Sequence, residues 1–178
     1  KCLNSINIES QHRVLIKYSN LKNKNNFKNN VYKLKGKTNS IISKINGKNI
    51  KEFQSLSIFP TNLYKEINKS EFDIVNLTWI NEYLSIEDIG KIEKPIVWTL
   101  CDMWPIGGVN HYDEYSENAF WRKENFGKNK SISFLDKWII KRKIKYWKNR
   151  NLNLIAPSQW IYDCARDSAI SQDFQIRK

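Results

Sequence analysis

Cysteine is scarce in this chain, and the scarcity excludes whole classes of architecture. Cys2, Cys101 and Cys164 are the only three in 178 residues. They are too few for a disulfide framework and too widely spaced for a zinc knuckle, a usage that fits a reducing cytoplasm. Long apolar runs are missing as well. No stretch of about 18 apolar residues occurs, so nothing here reads as a bilayer-spanning helix. Residues 1–8, KCLNSINI, hold neither an apolar signal-peptide core nor an initiating Met, which is the pattern of a piece cut from a longer chain. Acidic residues are the minority charge, 18 against 30 Lys and Arg, for a net charge of +12. That imbalance has two readings. One is an anionic partner: nucleic acid, an acidic membrane face or a phosphorylated substrate. The other is an AT-rich genome, since Lys (24), Ile (24) and Asn (22) dominate the composition. No helix-turn-helix, RNP or zinc pattern accompanies the charge, so a basic nucleic-acid-binding module rests on charge alone.

What is present is enough for one folded domain. Hydrophobic residues make up 40% and aromatics 13% of the chain, sufficient for an ordinary core. Residues 13–18 read as a short strand, and residues 20–51 as an Asn/Lys-rich solvated excursion. Beyond Pro60, Thr61 or Asn62 can cap a helix carrying Leu63, Tyr64 and Ile67. Residues 73–77 form a β-type run. Ser85 and Asp88 stand at capping-box spacing before a helix with Ile86, Ile89 and Ile92 on one face, ended by Pro95. Ile96 to Leu100 is the next strand. An amphipathic helix over about 134–150 turns Leu135, Trp138, Ile139, Ile144 and Trp147 inward, and Leu152 to Ala156 is a further strand. Pro157-Ser158 then opens a last helix, with Trp160, Ile161, Cys164 and Ala165 facing the core. This alternation predicts an α/β fold: a Rossmann-like parallel sheet with helices on both faces. In such folds ligands bind beyond the carboxyl ends of the strands. Those ends are Thr78-Trp79, Cys101-Asp102 and Pro157-Ser158, and Ser158 also offers a helix N-terminus to an anion.

The densest chemistry lies at residues 98–112, WTLCDMWPIGGVNHY, directly after a strand. Flat apolar surface, hydrogen-bonding groups and permissive backbone coincide there, as a ligand-binding loop requires. Together with DIVNLTWIN at 73–81, KPIVWTLCDMWP at 94–105, and APSQW at 156–160 with Ser168, this stretch resembles the amino-terminal domain of bacterial family-4 glycosyltransferases. It is most similar to the colanic-acid and exopolysaccharide or lipopolysaccharide group. Family strings there run D-I-V-N-L-H-W-I, K-P-V-V-W-T-L-H-D-M-W-P-F-T-G-G-C-H-Y and P-S-x-W-L, in this order and spacing.

The resemblance implies a GT-B enzyme with two Rossmann-like domains and the active site between them. Such an enzyme moves a sugar from a nucleotide-sugar donor to a saccharide or lipid-linked acceptor, with retention and without a metal or other cofactor. On this expectation residues 1–178 are an incomplete amino-terminal, acceptor-side domain. The carboxy-terminal nucleotide-sugar domain is absent, and the piece alone is inactive. Its place would be cytoplasmic, at or near the inner face of the plasma membrane.

Carried over residue by residue, the family histidine of T-L-H-D falls on Cys101 and that of L-H-W on Thr78, beside Trp79. Cys101 either fills the space at a catalytic position or is a small packing residue. Asp102 orients an acceptor hydroxyl or braces a turn. Trp104 stacks on a sugar or anchors the loop. Gly107 and Gly108 are expected to permit positive φ. His111 and Tyr112 match the H-Y pair, and His111 is the leading candidate for an acceptor contact. A metal site joining His111 with Asp113 and Glu114 lacks any ligand spacing. Ser158 caps a helix, with an anion contact as a second role. The basic stretch 137–148 meets anionic lipid or is a covering helix with a solvated face. A non-catalytic sugar-binding or partner subunit is the alternative function, suggested by the replaced histidines.

Overall fold

The computed structural model describes residues 53–80, 83–128 and 132–178. The strand expected at 13–18 and the excursion at 20–51 lie outside the described residues. The described chain runs α1 (Leu63–Lys69), β1 (Val75–Leu77), α2 (Ile86–Gly90), β2 (Ile96–Thr99), α3 (Phe134–Trp147), β3 (Leu152–Ile155), α4 (Gln159–Asp167) and β4 (Gln175–Arg177). The strands form one sheet in the order β1-β2-β3-β4, and every pair is parallel. This is the α/β, Rossmann-like parallel sheet that the strand–helix alternation predicts, but of the two helix-covered faces expected, the described helices cover one.

Register follows from side-chain alternation. Leu77 pairs with Trp98 and Trp98 with Leu154; these residues, with Ile96, Leu100, Leu152 and Ala156, are buried. Because the strand order is the chain order, right-handed crossovers carry the connecting helices α2, α3 and α4 to one face of the sheet. On the other face Asn76 is exposed, and Val97, Thr99, Asn153 and Ile155 are half-buried.

Local signals account for most helix starts. At α2, Ser85 Oγ accepts from Asp88 N at 3.0 Å, and the Asp88 carboxylate accepts from Ser85 N at 3.3 Å, a complete capping box. Asp88 also accepts from Thr61 N at 2.7 Å and Asn62 N at 3.2 Å. The entry to α1 is therefore tied to the neighbouring helix. Its N-cap, Asn62, makes no side-chain cap bond of its own. Ser133 Oγ accepts from Asp136 N at 3.0 Å to start α3, and Ser158 Oγ from Ile161 N at 3.3 Å to start α4. Such caps are worth about 1 kcal/mol each.

Four expectations need correction. Helix α2 ends at Gly90 rather than at Pro95; the chain turns at Lys91, although Ile92 stays buried. Gly90 sits where a Cβ would meet the Tyr146 carbonyl oxygen at 2.4 Å, so α2 and α3 approach closely there. Trp138 lies on the outer side of α3, while Lys143 occupies a core position. Trp160 is exposed, whereas Ile161, Cys164 and Ala165 are buried as expected. Finally, β4 is a strand that the pattern did not announce.

The core above β2 is built on three tryptophans. Trp98 lies 5.5 Å from Trp147 and 6.2 Å from Trp104, and Trp104 lies 6.1 Å from Trp147, centroid to centroid. Such pairs add about 0.5–1.5 kcal/mol each beyond their burial. Each indole N–H is satisfied by a backbone carbonyl: Trp98 by Thr78 at 2.9 Å, Trp104 by Ser55 at 2.7 Å, Trp147 by Ile86 at 2.8 Å. The cluster thereby fixes the chain just past β1 and the loop past β2.

Candidate functional site

A shallow hollow lies at the carboxyl ends of β1 and β2. It is lined by Thr78, Trp79, Cys101, Asp102, Trp104 and His111, together with Ile80, Trp98 and Pro105. Motifs about 20 residues apart in sequence meet there because β1 and β2 are adjacent parallel strands. The hollow itself admits about 10 Å³, room for about one water. It is a dimple in a surface rather than an enclosed pocket.

Its floor is a chain of buried hydrogen bonds. Asp102 Oδ1 accepts from Trp104 N at 3.0 Å, and Asp102 Oδ2 lies 2.6 Å from His111 Nδ1. His111 Nε2 lies 2.8 Å from Ser55 Oγ. A neutral ring that donates from Nδ1 to Asp102 and accepts at Nε2 from the serine hydroxyl satisfies all three groups. The connectivity is that of a Ser-His-Asp triad, but Ser55 is 1% exposed, so its hydroxyl has no path to a substrate. Both ring nitrogens of His111 are occupied, and the side chain is buried. The chain acts as a brace that fixes the loop end to end.

A second brace comes from α3. Lys143 is fully buried, and its ammonium donates to the carbonyl oxygens of Trp104, Gly107 at 3.0 Å and Gly108 at 2.9 Å. The same Nζ sits 4.0 Å from the Trp104 ring centroid, a desolvated cation–π contact. Three N–H donors meet three acceptors, so no polar group in this knot is left over. Burial pulls the lysine well below its usual range, while the charges of Asp102, Asp136 and Asp113 act in the opposite sense. Two helical turns earlier on the inner side of α3, Asp136 Oδ1 accepts from Val109 N at 3.1 Å. Lysine holds the loop's carbonyls and aspartate holds its amide.

This packing explains the two glycines differently from expectation. Neither Gly107 nor Gly108 has positive φ; among the described glycines only Gly127 does, at 88°. What they supply is closeness. A Cβ on Gly108 would stand 2.3 Å from Asp136 Oδ1, and one on Gly107 3.1 Å from the Met103 carbonyl oxygen.

Against this fixed floor the rim is open. Phe53, Trp79 and Tyr112 are 54%, 56% and 59% exposed. Phe53 stands edge-on over His111 at 4.6 Å and 5.9 Å from Trp79. The Tyr112 hydroxyl donates to the Cys101 carbonyl at 3.3 Å. Cys101 and Thr78 are exposed on the same rim. Burial of part of the thiol, and then the Asp102 charge, push the Cys101 pKa up, so at neutral pH it is a thiol rather than a thiolate nucleophile. Ser158 lies apart from the hollow, exposed, with its hydroxyl engaged as the N-cap of α4.

A wider hollow of about 260 Å³ opens among Asp113, Glu114, Ser116, Asn118, Phe120 and Trp121. The segment beside it is tied to α4 through Asp167. That carboxylate accepts from the Tyr115 hydroxyl at 2.9 Å and pairs with Arg122 at 3.1 Å and Arg166 at 3.0 Å.

Sequence reasoning missed Lys143, Ser55 and Phe53. A lysine within a basic helix gives no sign that it turns inward. The alternation of buried positions around it (Ile139, Ile140, Trp147) is the one signal that could have exposed it. In comparisons with known proteins the chain matches no family model, no curated protein and no solved structure.

Proposed function

We propose that this chain is the acceptor-side half of a retaining glycosyltransferase that builds a surface polysaccharide, working in the cytoplasm. The observation that carries the reading is the rim: Phe53, Trp79 and Tyr112, open to solvent at the carboxyl ends of β1 and β2, around a floor held by buried hydrogen bonds. Exposed aromatic faces on a rigid base suit sugar rings, whose C–H faces pack on aromatics while their hydroxyls seek polar groups. Thr78, the Cys101 thiol and the Tyr112 hydroxyl supply those groups. A shallow half-site also suits a cleft completed by a second domain, where the nucleotide-sugar would bind and the departing phosphate would find its electrostatic support. Among the described residues no helix is long and apolar enough to cross a membrane. In this reading Asp102, His111 and Trp104 position the loop, and the rim residues contact the acceptor.

The test is an NMR titration of the chain with acceptor-type oligosaccharides. Shifts are expected at the Trp79 indole and the Tyr112 ring, and Trp79→Ala should abolish them. Saturating oligosaccharide that moves neither signal would refute the reading.

A second reading, a non-catalytic sugar-binding subunit, is favoured by one observation: the position that resembles a family histidine holds Cys101, a protonated thiol with no imidazole donor. Nucleotide-sugar turnover by the complete protein separates the two. Turnover supports the enzyme, and saccharide binding without turnover supports the subunit.

A further inference from the structure

The outer side of α3 carries a pattern that the hollow does not use. Phe134, Trp138, Lys141, Lys145 and the C-cap Lys148 are the exposed positions of this segment. They recur every three or four residues and so form one line along the helix. Leu135, Asp136, Ile139, Ile140, Lys143 and Trp147 face the core instead. Phe134 is 79% exposed and Trp138 37%, an unusual opening for two large rings on one stripe. The line holds no acid. Asp136 is buried, and nearby Glu87 is already paired with Lys91 at 2.8 Å and Arg142 at 3.3 Å.

Rings at one end of a helix and uncompensated lysines at the other are what an interfacial helix presents to a charged bilayer. A crossover helix between parallel strands runs antiparallel to them. The Phe134 end of α3 therefore stands at the same end of the sheet as the hollow. Duplex nucleic acid would be met by the lysines alone, since phosphates offer nothing to an exposed phenyl ring.

We propose that the Phe134–Lys148 stripe of α3 is a docking surface for an anionic lipid bilayer. Phe134 and Trp138 enter the headgroup layer, and Lys141, Lys145 and Lys148 meet its negative charge. The proposal stands without the glycosyltransferase reading. Where both hold, docking brings the hollow to the surface where a lipid-linked acceptor lies.

The experiment is co-sedimentation of the full chain with vesicles of phosphatidylcholine alone or mixed with phosphatidylglycerol. Binding to the anionic vesicles only, weakened by salt, is expected. Each lysine near such a surface contributes about a factor of five, so Lys141→Glu/Lys145→Glu/Lys148→Glu should weaken binding roughly a hundredfold or more. Phe134→Ala/Trp138→Ala should weaken it several-fold. These side chains are exposed, so the thermal midpoint serves as the folding control. Lys65→Glu/Lys69→Glu/Lys178→Glu removes equal charge from exposed positions outside α3 and should leave binding close to the parent. Three results overturn the proposal: equal binding to neutral vesicles, a stripe variant that binds like the parent, or duplex DNA that displaces anionic vesicles from the stripe.

Discussion

The floor and the rim of the hollow come from the same short stretches of chain and could hardly differ more. Asp102, Trp104 and His111 are buried and fully engaged, and Lys143 and Asp136 bind the loop from behind. Trp79 and Tyr112, next in sequence to buried residues, stand more than half exposed with little to hold them. Chemically conspicuous residues therefore divide into those that shape the surface and those that form it. His111, the leading imidazole by sequence, falls on the shaping side, and its position is set by two hydrogen bonds rather than by a ligand.

The largest test of that division is Lys143→Met. Three loop carbonyls lose their donor, and Asp136 loses a nearby compensating charge. Stability should fall by about 3–5 kcal/mol, the range for breaking a buried charged network, as read by urea denaturation. A loss under about 1 kcal/mol, the scale of a single ordinary hydrogen bond, would mean that the knot is not the floor's main tie.

Gly108→Ala comes next. The new methyl must displace the Asp136 carboxylate, at an expected cost of about 1–3 kcal/mol. Gly127→Ala, at a position with positive φ and open space around it, should cost only about 1 kcal/mol. His111→Ala leaves Asp102 buried without its partner and should cost about 1–3 kcal/mol. Near-UV circular dichroism should change with it, because Trp104 and Phe53 pack on that ring.

An acid titration probes a different tie, the one that holds the 113–128 segment to α4. Burial opposes ionisation of Asp167, but hydrogen bonds from Arg166 and Tyr115 and the charges of Arg166 and Arg122 outweigh it and hold the carboxyl below its ordinary 3.8. A folded-state value below the unfolded one means that the contribution is complete above about pH 4 and fades as pH falls through the lowered value. Tyr115→Phe should make that acid loss shallower, and an unchanged acid limb would count against the cluster. The smallest stability effect belongs to the rim: Trp79→Ala and Tyr112→Ala should each stay within about 0.5 kcal/mol of the parent, while saccharide binding is lost.

How much was legible in the sequence depended on whether local rules decided the outcome. The parallel sheet was legible because strand, cap and helix signals are local: Ser85 with Asp88, Ser158 with Ile161, and the apolar alternation at 96–100 and 152–156. The meeting of Thr78-Trp79 with Cys101-Asp102 followed from topology. Strand β4 was not legible, because Gln-Ile-Arg is short and polar and is a strand only through pairing with β3. Residue type assigns Trp138 and Trp160 to the core, yet the sides of their helices are set by Ile139 and Ile161. Local pattern assigns Gly107 and Gly108 backbone freedom, when the cause is close packing, against α3 at Gly108 and against the Met103 carbonyl at Gly107, that no local pattern reveals.

Lys143 also bears on how the domain can move. A lysine nitrogen in the core is tolerable only while three loop carbonyls accept its hydrogen bonds, so loop 104–108 cannot lift away without leaving a buried polar group without partners. Helix docking and loop closure must then happen together, and the loop should open only in global unfolding. Its backbone amides, and that of Val109 in particular, should exchange with solvent at the pace of the whole sheet. A loop at a binding surface that behaves in exchange like the innermost strand leaves any adaptation to a ligand to the side chains of the rim.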